Sequence, residues 1–214
     1  MRIAVINENS QAAKNGLIVS CLKKVVEGMG HVVDNYGMYT ADDACQLTYV
    51  KAGLLAGILI NSGAADFVVT GCGTGVGATL ACNVFPNVIC GHIEDAEDAY
   101  MFGQINDGNA VAIPFAKKFG WGGELTLTYM FEKLFSAPFG GGYPPERVEP
   151  EQRNKKILDQ VKSVTTKDML TILKEIDQDF LRETISGEHF SELFYQNCKD
   201  ESIAAYLKEM GQQR

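Results

Sequence analysis

The residues best suited to chemistry lie in one glycine-rich segment, Gly71-Cys72-Gly73-Thr74-Gly75-Val76-Gly77. An apolar, β-branched run precedes this segment and a helical pattern follows it, which predicts a strand-to-helix connection. Alternating glycines let the backbone turn sharply and point several N–H groups inward, and such a nest at a helix N-terminus stabilises negative charge. Cys72 and Thr74 carry its only reactive side chains. Helix N-termini favour the thiolate form of cysteine, so Cys72 could act as a base while Thr74 donates to an oxyanion.

This combination suits the removal of a proton next to a carbonyl group. The base takes the proton, the N–H nest holds the enediolate, and the proton returns one carbon along, which converts an aldose into a ketose. Hydrogen only moves within the substrate in this scheme, so we expect no cofactor and no metal.

Two other interpretations of the segment stay open. It could be a tight connection whose cysteine is simply buried. It could also be a dinucleotide-binding loop, but the spacing of its glycines does not fit G-x-G-x-x-G, and that fingerprint follows the first strand of its fold. Here the first strand-like run leads into Asn7-Glu8-Asn9-Ser10, which contains no glycine.

The elements that must position the segment alternate along the chain. Short apolar runs separated by helical patterns predict an α/β fold with a doubly wound, mostly parallel five-stranded sheet, a Rossmann-like three-layer sandwich. We predict strands over 2–6, 31–34, 66–70, 87–90 and 110–113, and helices over 11–29, 48–62, 76–83, 96–104 and 124–134.

The composition changes after the last of these helices. Glycines and prolines at 140–145 indicate a loop, and the stretch that follows is charged and helical in period. We therefore divide the chain into an isomerase-like domain over 1–150 and a helical C-terminal extension over 151–214. The extension is predicted to hold two or three short helices. It could pack on the domain, lengthen a subunit interface or cover the site, and we expect interface packing.

Charge and cysteine content exclude several classes of protein. The 214 residues sum to a net charge of −8, which disfavours nucleic acid and anionic membranes as partners. No run is long and apolar enough to span a membrane, and no signal peptide is visible. The six cysteines form no CxxC pair, which argues against zinc. We expect a cytoplasmic protein with reduced thiols.

With these residues in hand, the chain resembles the ribose-5-phosphate isomerase B and galactose-6-phosphate isomerase (RpiB/LacAB) family. The glycine segment carries the resemblance. Support comes from further matches in the same order: Ile3-Ala4-Val5, Asn83, Asn106-Asp107-x-Asn109 and Arg147-Val148-Glu149. The match spans about residues 1–150 and says nothing about the chain from Asn154 onward.

The resemblance implies a homodimer, or a dimer of dimers, with active sites built across the subunit interface. It implies that Cys72 moves the proton and that Thr74 supports the enediolate together with the amides of Gly73, Gly75, Val76 and Gly77. Relatives that lack this cysteine use a glutamate at the position of Ala78, so the chain looks like the cysteine type. Asn106 would reach the substrate from the partner subunit, and Arg147 would bind the phosphate.

Several positions depart from the family pattern. The usual Asp-His pair after the first strand is Glu8-Asn9, and the ring-opening histidine is replaced by Ile105. A second arginine that binds phosphate in the family is replaced by Tyr143. Lys117 stands near the position of a further family arginine, after the fifth strand. The base and the oxyanion loop are thus retained, while ring opening and phosphate binding are altered. We hypothesise a substrate that is already open-chain, such as a four-carbon sugar phosphate, or a sugar bound in a different ring form.

Two more residues are candidates for the site. His92 is predicted just after the fourth strand, where it could replace the missing histidine or simply be a hydrogen-bonded loop residue. Glu8 could bind sugar hydroxyls or relay a proton between O1 and O2, or it could be a helix N-terminal charge. Together these features predict an aldose–ketose isomerase acting on a sugar phosphate. The alternative is a non-catalytic phosphosugar-binding or regulatory protein that has lost its ring-opening residues.

Overall fold

A computed structural model describes residues 1–212 and contains one five-stranded parallel sheet, in the order β2-β1-β3-β5-β4. Every neighbouring pair of strands is parallel, as expected for strands joined by helical crossovers. The strands are β1 Arg2–Ile6, β2 Val32–Asn35, β3 Phe67–Cys72, β4 Cys90–His92 and β5 Ala110–Pro114.

Helices cover both faces of the sheet, which confirms the doubly wound α/β prediction. One face is packed by α1 (Asn15–Val26), α4 (Ala96–Met101) and α5 (Gly123–Leu134). The other is packed by α2 (Tyr49–Asn61) and α3 (Val76–Asn83). Alternate β1 residues serve the two cores: Ile3 and Val5 on the first face, Ala4 and Ile6 on the second.

Helix α2 is buried along most of its length and lies against α3. Thr48 caps its first turn by accepting a hydrogen bond from the N–H of Lys51. Gly53 allows the close approach of α3, because a Cβ there would lie 2.6 Å from the Cβ of Ala81. This contact brings α3, and the glycine segment before it, down onto the sheet.

Several predicted boundaries were wrong. Gly71 and Cys72 belong to β3, and α3 begins at Val76, so only residues 73–75 of the glycine segment are loop. Strand β4 begins at Cys90, because Asn87 has a φ of +58° and the side chain of Asn109 bonds the backbone of residues 87 and 89. The helix expected to reach residue 104 is α-helical only to Met101 and then widens into a π-helical turn, Phe102–Asn106.

The predicted helix over 11–29 is interrupted at both ends. It begins as a 3₁₀ turn, Asn9–Lys14, before α1, and it ends in a second such turn, Glu27–Met29. Gly30 ends the second turn with a left-handed φ of +78°, so the segment stops where the predicted helix does.

Within the described residues, up to 212, the extension contains five helices rather than two or three. They are α6 Val148–Thr165, which follows a 3₁₀ turn at Pro145–Arg147, then α7 Met169–Glu175, α8 Gln178–Ile185, α9 Glu188–Asn197 and α10 Glu201–Gln212. Helices α7 and α8 pack against α2, and α10 packs on α7 and α8. All four helices from α7 to α10 contribute to the same apolar core as α2, whereas α6 has no buried residue. Residues 213 and 214 of the predicted extension lie outside the described residues. Across residues 1–212, no helix combines the length and apolarity needed to cross a membrane.

The packing of the extension on α2 predicts a large cost for truncating its central aromatic residue. Phe194 is fully buried and stacks on Phe190, with 4.9 Å between ring centroids. We expect Phe194→Ala to lower the free energy of unfolding by about 3–5 kcal/mol, because it removes apolar contact area and leaves a cavity. Urea unfolding would measure this. Val164→Ala, at a side chain that is 86% exposed, is the control and should change stability by less than about 0.5 kcal/mol. Equal effects of the two variants would contradict this packing.

Candidate active site

The site is built where β1 and β3 end side by side. Ile6 lies opposite Thr70 in the parallel ladder, and the Thr70 hydroxyl donates to the Ile6 carbonyl at 2.7 Å. Adjacent strands are about 4.8 Å apart. Glu8 and Cys72, each two residues further on, therefore leave the sheet next to each other at its carboxyl edge, where ligands bind in open α/β folds.

Cys72 is the last residue of β3 and is held from the β5 side. It lies opposite Pro114, and its carbonyl accepts a hydrogen bond from the N–H of Phe115 at 3.0 Å. The preceding glycine is required, because a Cβ on Gly71 would lie 2.2 Å from the Ile113 carbonyl oxygen. Cys72 is only 8% exposed, so a thiol at the sheet edge is largely shielded from water.

The glycines after Cys72 turn the chain into α3. Gly75 has a φ of +76° and caps the helix, which side chains other than glycine rarely allow. The N–H groups of Val76 and Gly77 are in the first helical turn, where no intrahelical acceptor exists. The helix dipole adds partial positive charge here. The start of α3 therefore carries N–H groups without an intrahelical acceptor beside the glycine loop, and their role as an anion-binding nest stays a prediction.

His92 is the last residue of β4 and braces this loop. Its Nε2 lies 2.9 Å from the Thr74 carbonyl oxygen, so Nε2 must carry the hydrogen. A Cβ at Gly75 would lie 2.7 Å from the same nitrogen. The ring therefore sits tightly against the glycine loop.

Lys117 lies close to this brace but is already paired. Its Nζ is 2.6 Å from Oε1 of Glu94, and the hydrogen bond from Lys117 is the main reason why the pKa of Glu94 is lowered. A substrate contact by Lys117 would therefore compete with Glu94.

Glu8 is held by hydrogen bonds within its own turn, whereas Asn9 is held by a hydrogen bond to the loop after β2. The buried Glu8 carboxylate accepts hydrogen bonds from the Ser10 N–H at 2.9 Å and from the Ser10 hydroxyl at 2.6 Å, which caps the 3₁₀ turn. The Asn9 N–H donates to the Leu47 carbonyl at 2.7 Å, and its side chain is exposed.

Three residues predicted for the site lie on elements other than β1, β3 and the glycine loop. Asn106 ends the π-helical turn and lines a cleft of about 650 Å³ between β4 and α6. Arg147 is exposed at the start of α6, and the Tyr143 ring packs against Tyr100. Within residues 1–212, no hydrogen bond or ion pair joins any of the three to the glycine loop.

Comparison with known proteins decides the family. A sequence profile described as Ribose/Galactose Isomerase matches residues 3–150. The chain belongs to the ribose/galactose isomerase family. A second profile, described as ribose-5-phosphate isomerase, matches residues 164–210 and so covers most of the extension.

Solved structures of isomerases superpose on almost the whole chain. A 4-deoxy-L-threo-5-hexosulose-uronate ketol-isomerase complexed with a tartrate is 60% identical, covers 98% of this chain and 99% of its own, and has a TM-score of 0.96. A ribose-5-phosphate isomerase from Vibrio parahaemolyticus is 47% identical with the same coverage and a TM-score of 0.95. The chain is therefore an isomerase.

A more distant relative shares only the fold. The type B ribose 5-phosphate isomerase from Trypanosoma cruzi is 20% identical, with a TM-score of 0.65. It aligns over 99% of its own length but only 77% of this chain. Part of this isomerase thus has no counterpart there.

The isomerase carries one feature of the site that sequence inspection missed. The end of α8 and the start of α9 contact the loop after β2. The Leu47 carbonyl of that loop also accepts the hydrogen bond from the Asn9 N–H. His189 lies 3.3 Å from Asp43 and stacks on Tyr39 at 3.6 Å between ring centroids. The Cys45 thiol reaches the Glu183 carbonyl. No local signal marks these contacts, because they join positions more than 130 residues apart.

The charge state of Asp43 should govern the strength of this contact between the extension and the loop after β2. Burial alone would raise the pKa of Asp43, but hydrogen bonds from the Thr40 hydroxyl and from the N–H groups of Tyr39 and Thr40, with nearby His189, outweigh it and lower the pKa. A carboxyl whose pKa is lower in the folded state stabilises the fold above its unfolded pKa of about 4. That contribution is lost as the pH falls through the lowered value.

We therefore expect Asp43→Asn to destabilise the protein at pH 7 by on the order of 1 kcal/mol, because the ionised acceptor is lost. The difference from wild type should shrink as the pH falls below about 4 and through the lowered pKa of Asp43. Urea unfolding over a series of pH values from 7 downward measures it, and Asp42→Asn, at the exposed neighbour, is the control. A difference that stays constant with pH would show that the charge of Asp43 is unimportant.

Proposed function

We propose that this isomerase is a ketol-isomerase of an open-chain uronate, with 4-deoxy-L-threo-5-hexosulose-uronate as its preferred substrate. The observation that carries the proposal is 60% identity over 98% of the chain to a ketol-isomerase named for that compound. The family's expected sugar phosphates become secondary substrates in this proposal.

The chemistry of such a substrate fits the altered residues of the site. Its name specifies an aldehyde at one end, a carbonyl at C5 and no hydroxyl at C4. The hydroxyls that close the usual furanose and pyranose rings are therefore missing, and no ring has to be opened. The family's ring-opening histidine is then unnecessary, which fits the presence of Ile105 at its position.

The proposed reaction moves hydrogen between neighbouring atoms of the substrate. Cys72 removes the proton from C2 as the C1 carbonyl becomes an enediolate oxygen. The N–H groups of residues 73–77 and the Thr74 hydroxyl stabilise that oxygen. Cys72 then returns the proton to C1, while Glu8 carries the hydroxyl proton from O2 to O1. An aldehyde and a hydroxyl are thus replaced by a hydroxymethyl group and a ketone.

The far end of the substrate is a carboxylate, which needs a cation or amide donors rather than a phosphate site. Lys117 is paired with Glu94, whereas exposed Arg147 forms no ion pair within residues 1–212. We assign the carboxylate to Arg147 of the partner subunit and assign hydroxyl contacts to Asn9, Asn106 and Tyr143. His92 contributes by holding the glycine loop.

A homodimer is required for that arrangement, and the surface of the chain supports one. Val76, Leu80 and Val84 lie one turn apart on α3 and are 48%, 65% and 63% exposed, so an apolar stripe runs from the glycine loop. Exposed apolar residues of α6 extend it, and Lys162 of α6 bonds the Asn83 carbonyl at the end of α3. Apolar surfaces of this kind mark interfaces between proteins. We also place the enzyme in the cytoplasm, since all six cysteines are free thiols.

The role of Cys72 can be tested directly. We expect Cys72→Ala to lower kcat for the uronate by about 10²–10⁴-fold, because the general base is lost, while the fold stays intact. Deuterium from D₂O should enter the product with wild type only, as measured by NMR. Cys198→Ala is the matched control.

Two results would overturn the proposal. The first is a Cys72→Ala enzyme that retains wild-type kcat. The second is a wild type that turns over ribose 5-phosphate or a four-carbon aldose phosphate faster than the uronate.

The dimer predicts the effect of a charge placed in the apolar stripe. Leu80→Glu should dissociate the enzyme, because a carboxylate would have to be buried in an apolar contact. Activity should fall with it, since the site would lose its partner residues. Analytical ultracentrifugation measures the mass in solution, and Leu125→Glu on α5 is the control at a comparably exposed leucine. A Leu80→Glu variant that stays dimeric and active would exclude this face.

A further inference from the structure

The 3₁₀ turn after β1 places an unassigned amide beside the base. A Cβ on Gly73 would lie 3.8 Å from Nε2 of Gln11 and 3.7 Å from the Ala116 side chain. Gln11 therefore stands over the residue that directly follows Cys72. The family comparison and the mechanism above give Gln11 no role.

The orientation of the Gln11 amide is determined by its neighbours. Its Oε1 accepts a hydrogen bond from the Lys14 ammonium at 2.8 Å, and an ammonium can only donate. The NH₂ group must therefore point the other way, and one of its hydrogens goes to the Ser10 hydroxyl at 3.1 Å. Ser10 in turn donates to Glu8 at 2.6 Å. Lys14, Gln11, Ser10 and Glu8 thus form one chain of hydrogen bonds running from a cation to a carboxylate.

One hydrogen of this amide remains available. Nε2 carries two hydrogens, and in residues 1–212 only the bond to Ser10 is formed. The second is on the half-buried side chain that faces the glycine loop. A donor in that place is suited to an oxygen bound above Gly73.

Lys14 itself is not free to bind the substrate. Besides Gln11, its ammonium bonds the Phe115 carbonyl and lies 4.5 Å from the centre of the Phe119 ring. Burial lowers the pKa of Lys14. Phe115 is also the residue whose N–H binds the Cys72 carbonyl, so Lys14 ties the 3₁₀ turn to the strand end that holds the base.

We propose that Gln11 is a substrate-binding residue whose free amide hydrogen is donated to the enediolate oxygen held over Gly73, and that Lys14 is the positioning residue that orients it. The proposal rests on the ketol-isomerase function proposed above. Negative charge grows on that oxygen in the transition state. A donor fixed by a cation behind it should therefore act more strongly on kcat than on KM.

Gln11→Glu is the sharpest variant. It keeps the length of the side chain and an acceptor for Lys14, but it removes both amide hydrogens. We expect kcat to fall on the order of 10²-fold, as for the loss of one oxyanion donor, with a much smaller change in KM. Gln212→Glu makes the same change in charge at an exposed glutamine of α10 and should leave kcat and KM unchanged.

Lys14→Met tests the positioning role. Methionine keeps the packing against Phe119 but releases the Gln11 amide, so kcat should fall less than in Gln11→Glu, and Lys14→Arg should restore it. A merely structural lysine would lower the melting temperature without this selective loss of kcat. Thermal unfolding of each variant is measured alongside, and Gln11→Asn replaces Gln11→Glu if the latter does not fold.

The outcomes separate this inference from the proposed function. A wild type that fails on the uronate but turns over ribose 5-phosphate refutes the uronate proposal. The same variants are then compared on that substrate, since its C1–C2 end undergoes the same chemistry. Wild-type kcat in folded Gln11→Glu overturns the role of Gln11, and wild-type kcat in Lys14→Met overturns that of Lys14. A wild type that turns over neither substrate overturns both proposals.

Discussion

The parallel pairing of β1 with β3 is the contact on which the rest of the site depends. Its register sets Ile6 against Thr70, and the buried Thr70 hydroxyl bonds across the two strands at the point where they end. A slip by one residue would turn every side chain to the opposite face of the sheet. Because the register is held by cores on both faces, Glu8 and Cys72 leave the sheet at the same edge.

Glycines allow the backbone to pass very close to neighbouring atoms at that edge of the sheet. Gly71 lets β3 approach β5, and Gly75 turns the chain into α3 while leaving room for His92. Gly53 has a similar steric role away from the edge, because it lets α3 lie close to α2. Each of these positions excludes a Cβ for a steric reason, and together they allow β3 and α3 to pack closely on either side of the glycine loop.

The proposed function divides the site into a part that performs the chemistry and parts that select a substrate. In that proposal, the Cys72 thiol, the N–H groups of the loop and the Glu8 carboxylate act on any aldose with a hydroxyl at C2. Selection of the substrate is assigned to residues on other elements, such as Ile105 on the π-helical turn and Arg147 at the start of α6. The extension adds a separate contact to the loop after β2, between His189 and Asp43.

Neighbouring residues in the sequence were enough to predict the alternation of strands and helices and the glycine loop that follows the third strand with its cysteine, because these features are encoded locally. Local patterns also placed the ends of helices to within a residue or two, as for the helix predicted over 48–62 and observed over Tyr49–Asn61. They could not show that the Asn109 side chain bonds the backbone just before β4. Nor could they show that the extension packs on α2, or that Lys14 orients Gln11 above Gly73. Those features arise between segments far apart in the chain, so only tertiary packing decides which side chains meet.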